Sequence, residues 1–422
     1  MTIDNSTTTR DIGTAPTIDE LRARFAPVFE RIAAGAVERE TERILPFEQV
    51  GWLRDAGFGT LRIPQEFGGL GASLRQLFEL LIDLGAADSN LPQLLRGHFA
   101  FLEGRLNVPD RESQRRWFDL AVDGALFGNA QAESGATTAS TTELTASGDA
   151  FLLNGAKYYS TGTIFADWIW STATIDDEHV GVALPAEADG VTRIDDWDGF
   201  GQRLTGSGTT RFEGVEIPAE QVIRLSADDT RAHSNITSFY QLVLLAALAG
   251  IGRRALSDTV EFVRKRTRTF GVPGESSPRT DPLVQRVVGR ISSLSEAARV
   301  LVLARADDLD AVHELWRDGA ATAEDYDRAE IAVFQAQQVV IRLVLDLTAD
   351  AFEVGGASAT SRTLAFDRHW RNARTIASHN PAIYRERAIG DYELNGAVPA
   401  AAWPRKKDAD EKDADEKADT PD

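Results

Sequence analysis

The chain has 422 residues, with 45 Lys and Arg against 65 Asp and Glu for a formal charge of −20, no cysteine and one methionine. Disulfides, thiolate metal sites and cysteine nucleophiles are therefore excluded. The acidity argues against nucleic acid or a polybasic membrane contact, both of which need a cationic face.

Residues 1–17 are polar, rich in Thr and Asp, and lack the apolar core of a signal peptide, so they read as a mobile tail. From Thr17 the spacing of Leu21, Phe25, Val28, Phe29 and Ile32 predicts a helix, and a second is expected over Phe47–Ala56, stopped by Gly57. A Gly-rich turn runs from Leu61 to Gly71, and Ser73 is placed to cap a helix carrying Leu74, Leu77, Phe78 and Leu81. Further helical patterns cover Leu94–Leu106 and Glu112–Val122, which makes residues 18–125 a helical domain.

Residues 126–228 change character. Short β-prone runs at Phe151-Leu-Leu, Lys157-Tyr-Tyr-Ser, Trp168-Ile-Trp, Val180–Leu184 and Thr209–Phe212 predict a compact antiparallel β domain, with Asn154-Gly155 as a hairpin turn. Residues 229–403 are helical again, over Ser238–Arg266, Pro282–Arg317, Ala323–Glu353 and Phe366–Ser378, as expected of a four-helix bundle. The longest apolar stretch, Leu242–Ile251, is too short to span a bilayer. Residues 404–422 repeat Asp-Ala-Asp-Glu-Lys, have almost nothing to bury and are expected to be disordered. They supply only −3 of the −20, so the acidity belongs to the folded body. The whole reads as an α+β multidomain cytoplasmic protein.

None of the six histidines forms an HxH, HxxxH or HExxH pair, so no metal site is expected. There is no GxSxG elbow, and neither Gly199-Phe-Gly201 nor Gly68-Gly-Leu-Gly71 completes a dinucleotide fingerprint.

Several segments, in order, resemble the acyl-CoA dehydrogenase superfamily. They are Ile63-Pro-Gln-Glu-Phe-Gly-Gly-Leu-Gly71, Asn129-Ala-Gln-Ala-Glu-Ser134, Lys157-Tyr-Tyr-Ser-Thr161, Arg268-Thr-Phe-Gly271, Val354-Gly-Gly-Ala357 and Arg371-Asn-Ala-Arg374. The resemblance implies an N-terminal helical domain, a central β domain and a C-terminal four-helix bundle. Dehydrogenases of the family need a carboxylate beside the carbon they deprotonate. Its usual position falls on Asn380, and the alternative position on the first bundle helix falls on Tyr240-Gln241, so both lack an acid.

Phe366–Pro381, Tyr392-Glu-Leu-Asn-Gly396, Asp195-Asp-Trp-Asp-Gly-Phe-Gly201 and Thr205-Gly-Ser-Gly208 instead resemble the dibenzothiophene monooxygenases and related two-component flavin monooxygenases. That resemblance implies reduced FMN delivered by a separate reductase, O2, a flavin C4a-hydroperoxide and an apolar small substrate, organosulfur before others, in a homotetramer. It assigns His98, Asn129, Thr161 and His379 to catalysis. For the flavin it implies Asn129, Gln131, Ala132, Tyr159, Ser160, Thr161, Trp197, Arg268, Phe270, Gly355, Gly356, Ser358, His379 and Asn380. Phe352 stands where FAD-using relatives place a glutamine, which favours FMN, whereas Ser358 in place of an arginine leaves FAD open. Two rival readings remain: an acyl-CoA dehydrogenase with an unrecognised base, and a non-catalytic flavin-binding or assembly protein of the same fold.

Overall fold

The computed structural model describes residues 15–108, 110–133, 142–176, 178–224, 230–267 and 277–399. Seven helices come first: α1 (Ile18–Ala34), α2 (Ala36–Glu42), α3 (Phe47–Asp55), α4 (Leu74–Ala87), α5 (Asn90–Leu94), α6 (Arg96–Leu106) and α7 (Arg111–Val122). Thr17 and Ser73 begin α1 and α4 with capping boxes closed by Glu20 and Gln76, which satisfies backbone donors that a helix start leaves open. The N-terminus of α4 is held further by Asp310, whose carboxylate accepts from the Leu74 and Arg75 amides at 2.9 and 3.0 Å.

Eight strands follow: β1 (Phe127–Ala130), β2 (Glu143–Ser147), β3 (Ala150–Lys157), β4 (Trp168–Ile175), β5 (Glu178–Pro185), β6 (Val191–Ile194), β7 (Thr209–Pro218) and β8 (Val222–Arg224). They form one sheet in the order β6-β7-β3-β2-β4-β5-β8, with β1 added against β4. The sheet is mixed rather than antiparallel throughout, because β1 and β2 both pair with β4 in parallel. Among the described residues the crossover from β1 to β4 contains the β2–β3 hairpin and one short 3-10 turn, Thr163–Phe165, but no α-helix, so the lack of room for helices does not forbid the parallel pair.

Asn154-Gly155 is not a turn. β3 runs straight through it, with a register shift against β7, Gly155 at φ 140° and the Asn154 carboxamide accepting from the Gly214 amide at 2.8 Å. The chain reverses at Gly148-Asp149, where glycine supplies φ 63°. Nor is Lys157–Ser160 a strand: β3 ends at Lys157, and Tyr159 adopts a left-handed φ of 56°.

The C-terminal region consists of α8 (Thr230–Lys265), α9 (Pro282–Arg317), α10 (Ala323–Asp350) and the shorter α11 (Asp367–Ala377) and α12 (Ala382–Asn395). α8 is apolar all round over Leu242–Ala249, the mark of a helix enclosed by others. By length and composition, the Asn235–Lys265 part of α8 and the whole of α10 would suffice to cross a bilayer, but both are largely buried against neighbouring elements. One hydrophobic core runs from Leu21 and Phe25 of α1, through α4, into α8, α9 and α10. The two helical regions are thus packed as one body, with α4 and α8 crossing so closely that a Cβ on Gly250 would meet Gly85 Cα at 2.7 Å. The sheet has its own core around Ile169, Val182 and Phe212, and a third cluster joins α6 and α7 to it.

Candidate active site

α6 lies directly on β1 because residue 97 is glycine; a Cβ there would meet Asn129 Cβ at 2.5 Å. This contact brings Arg96 and Asn129 to one place, where α8 and the end of α11 also arrive. The Arg96 guanidinium, 6% exposed, donates from Nη2 to His379 Nε2 at 3.0 Å and stands 5.2 Å from the Tyr240 ring centre. Arginine can only donate, so His379 Nε2 accepts and its Nδ1 carries the proton. Nδ1–H then points to Asn380 Oδ1 at 3.2 Å, and Asn380 Nδ2 donates to Gln241 Oε1 at 2.7 Å. Tyr240, next to Gln241, donates its hydroxyl to Asn129 Oδ1 at 3.1 Å. Arg96, His379, Asn380, Gln241 and Tyr240 therefore close a polar ring, with Asn129 attached through the phenol.

The electrostatics follow from burial. Tyr240 is pushed up to about 12 and stays a donor, while burial lowers Arg96 to about 10, which leaves it charged at neutral pH. His379 retains an exposed edge, yet the surrounding protein, and after it the Arg96 cation, push its pKa down to about 3. The imidazole is neutral and its one N–H is committed to Asn380. Among the described residues, the ring contains no carboxylate.

His98 faces away from this ring, as residues two apart on a helix do. It is 1% exposed, donates from Nε2 to the Gly59 carbonyl at 2.8 Å and accepts the Phe127 amide on Nδ1 at 3.3 Å. Burial holds it neutral at about 4. Both ring nitrogens are spent on backbone, so His98 fixes the start of β1 and has no donor left for a bound group.

Thr161 lies across Asn129 on the sheet side, its carbonyl accepting the Asn129 amide at 3.2 Å. Its buried hydroxyl bonds Ser207 at 2.8 Å, and Ser207 bonds Thr205 at 2.7 Å. The Tyr158 and Ser160 amides donate to Ala132 and Gly208 carbonyls, so segments 129–133 and 158–161 are tied together. Lys157, 2% exposed, reinforces them through Glu133 at 2.5 Å, and Gln131 donates to the Trp170 carbonyl at 3.2 Å. Tyr159 is half exposed and meets Trp197 edge to face at 5.9 Å, with Trp197 anchored by Nε1–H to the Gln202 carbonyl at 3.0 Å. Ala132 is exposed beside them.

Gly355, Gly356 and Ser358 are elsewhere. A Cβ on Gly355 would meet the Phe262 ring at 2.6 Å, and Arg266 donates to the Val354 carbonyl at 3.0 Å. Phe262 is on α8, 21 residues beyond Gln241, which is about 30 Å along a helix axis. One chain therefore separates the Gly-Gly loop from the polar ring. Arg268 and Phe270 lie outside the described residues. Sequence reasoning missed Arg96. The single signal available was a cation inside the largely apolar Leu91–Phe101 run, which otherwise carries only Gln93 and His98 as polar side chains.

The family model for the acyl-CoA dehydrogenase C-terminal domain matches residues 242–382. The FMN-bound structure of TdsC from Paenibacillus sp. A11-2 superimposes with a TM-score of 0.84 at 28% identity, covering 90% of this chain and 98% of that one. This is the acyl-CoA dehydrogenase fold. Within it, the resemblance to the flavin-dependent monooxygenases extends along most of the chain. The probable FMNH2-dependent monooxygenase SfnC of Pseudomonas putida is 28% identical over 88% of this chain and 94% of its own length. The dibenzothiophene monooxygenase of Rhodococcus qingshengii is 27% identical over 88% and 92%. Asn380 and the Tyr240-Gln241 turn, where the resemblance to the dehydrogenases leads one to expect a base, meet in this ring, with Asn380 bonded to Gln241.

Proposed function

We propose that this protein is an FMN-dependent monooxygenase that receives reduced FMN from a separate reductase and uses O2 to oxygenate a small molecule, with organosulfur compounds the first class to test. The observation that carries the reading is the polar ring itself: Asn380, at the usual base position by family resemblance, is bonded to Gln241 of the Tyr240-Gln241 turn at the alternative one, and neither carries an acid, in a chain similar over most of its length to FMNH2-dependent monooxygenases. Among the described residues the ring holds no carboxylate to take a proton from carbon, and the lone pair of its one imidazole is engaged by Arg96.

The residues present fit a flavin. Asn129 and Thr161 offer an amide and a hydroxyl beside closely spaced backbone segments, and buried polar atoms around the ring, among them Arg96 Nε, Ser238 Oγ and Gln337 Oε1, have no partner. Reduced FMN, when bound, supplies the two electrons that activate O2. In this reading Thr161 and Asn129 hold the flavin edge, with Gln131, Ala132 and Ser160 along the same backbone. Tyr159 and Trp197 wall it, and the neutral His379–Asn380 pair orders the substrate side and keeps water out. His98 positions β1. Gly355, Gly356 and Ser358 serve the flavin of a neighbouring copy in a homotetramer, since about 30 Å of α8 separates them from the ring of their own chain; Arg268 and Phe270 are assigned the same role from the motif alone. Phe352 packs against Phe366 with ring centres 6.4 Å apart and offers no amide for a dinucleotide, which supports FMN over FAD.

The test is turnover with a flavin reductase, FMN and isotopically labelled O2 on an aryl alkyl sulfide. One labelled oxygen in the product is expected. Anaerobic bleaching of the oxidised flavoprotein by an acyl-CoA, with no labelled product, would overturn the reading in favour of a dehydrogenase. Failure to bind FMN would point to a non-catalytic member of the fold.

A further inference from the structure

Arg96 is a buried cation without a counter-charge. Among the described residues no acidic side chain pairs with it, its Nη2 is spent on a neutral imidazole, and its Nε has no partner at all. Three of the other buried arginines are neutralised: Arg39 reaches Asp88 at 2.9 Å, Arg62 pairs with Glu103, and Arg368 with Asp258. Removing a guanidinium from water without an anion is costly, so a fold that does so leaves a strong demand for one.

The surroundings add to the demand. Tyr240, His379, Asn380 and Gln241 are all uncharged, so nothing in the ring offsets the charge. On α8, Ser238 precedes Gln241 by three residues, a spacing that sets it beside Gln241 on the helix surface. It is buried, and its Oγ is without a partner among the described residues. A hydroxyl can donate to an oxyanion as well as accept.

We propose that Arg96 anchors the anionic head of the substrate, so that this site takes a small organic molecule with an apolar body and one oxyanion group, a sulfinate, sulfonate or carboxylate. The word substrate rests on the proposed monooxygenase function; the anion site does not. The substrate is favoured over the flavin as the source of the anion by position. Arg96 belongs to the ring that includes Asn380 and Gln241, whereas Thr161 and the backbone expected to hold the flavin lie across Asn129 on the sheet side. A guanidinium recognises such a group through charge and paired N–H donors.

The test is calorimetric titration of the apoprotein and of the FMN-loaded protein with benzenesulfinate, benzoate and the neutral isostere methyl phenyl sulfone. Both anions are expected to bind the wild type at least tenfold more tightly than the sulfone. Arg96→Met should abolish that preference, Arg96→Lys should restore part of it through charge alone, and the sulfone should bind all three alike. Unchanged anion affinity in folded Arg96→Met, or no anion preference in the wild type, overturns the proposal. If Arg96→Met does not fold, Arg96→Lys and Arg96→Gln carry the comparison, and equal anion affinity in those two overturns it as well. Arg96→Met that loses reduced FMN instead, with anion binding intact, assigns the cation to the flavin and also overturns it. Labelled oxygen entering a neutral sulfide without any anion affinity removes this proposal and leaves the monooxygenase reading. Anion affinity without labelled product from any substrate does the reverse.

Discussion

His98→Leu separates a positioning role from a catalytic one, and its cost can be worked from the structure. The substitution keeps an apolar body of similar bulk in a site that is 1% exposed, but removes the donor to the Gly59 carbonyl and the acceptor for the Phe127 amide. Each buried backbone group left unpaired costs about 1–3 kcal/mol, so the pair costs roughly 2–6 kcal/mol. A chain of this length unfolds with an entropy of about 0.9 kcal/mol per degree, so the midpoint should fall by roughly 2–7 °C. His98→Gln, whose carboxamide both donates and accepts, should recover part of the loss. Differential scanning calorimetry reads the stability. Reduced-FMN affinity reads the site, because Asn129 lies two residues beyond Phe127 on β1. A melting point unchanged within a degree, with coupling between O2 use and product lost, would refute the reasoning and return His98 to the chemistry.

Acid should destabilise the protein in a defined window. His98 is held at about 4 against an ordinary 6.5, and burial and then Arg368 hold His369 at about 4. The unfolded chain therefore binds more protons between those values, so stability is complete above about pH 6.5 and declines as the pH falls toward 4. Melting points across that range check it, and His98→Leu should flatten part of the slope. Lys157→Met removes the Lys157–Glu133 ion pair and should cost on the order of 1–3 kcal/mol, given the partial exposure of Glu133, with weaker FMN binding by fluorescence titration. Lys157→Met combined with Glu133→Leu should regain stability, and a double variant no better than the single one would contradict the pairing. His379→Ala opens the ring and takes the acceptor from buried Arg96 Nη2, at about 1–3 kcal/mol, so the midpoint should fall by roughly 1–3 °C while H2O2 released per reductant consumed rises. Unchanged coupling would remove His379 from the reaction.

Local chemistry made much of the fold legible. The Pro282–Arg317 helix follows from its periodicity with Asp281 as its cap, and Ser73 caps α4 as its spacing with Gln76 demands. The failures are those of distance. Asn-Gly is a strong turn signal on its own, but pairing with β7 converts it into a bulge, and the turn passes to Gly148-Asp149. The parallel β1–β4 pair joins residues about forty apart, which no local window registers. α12 was not foreseen because it has no buried residue to impose a period. Motif resemblance singles out Asn129, Thr161, His379 and Asn380, and the structure links Asn129 to Thr161 and His379 to Asn380 by hydrogen bonds. Arg96 was not legible, because a lone arginine in a helix reads as solvated until its burial and missing counter-charge are seen.

The identity of the ring explains why one fold can set aside dehydrogenation without rebuilding itself. A carboxylate at either base position would stand close to Arg96, and the two charges would neutralise one another or capture a proton from substrate. Here the two positions are amides bonded head to tail, Asn380 donating and Gln241 accepting at 2.7 Å, so neither titrates. Arg96 dictates the direction of that chain: it can only donate to His379, which then can only donate to Asn380, which donates to Gln241. A single cation thus sets the tautomer of the histidine, the orientation of two amides and the positive sign of the pocket. Chemistry that withdraws a proton from carbon finds no carboxylate among the described residues of this ring and an imidazole whose lone pair Arg96 already engages, whereas chemistry that brings an oxidant and an electron-rich or anionic substrate together meets donors already fixed in place.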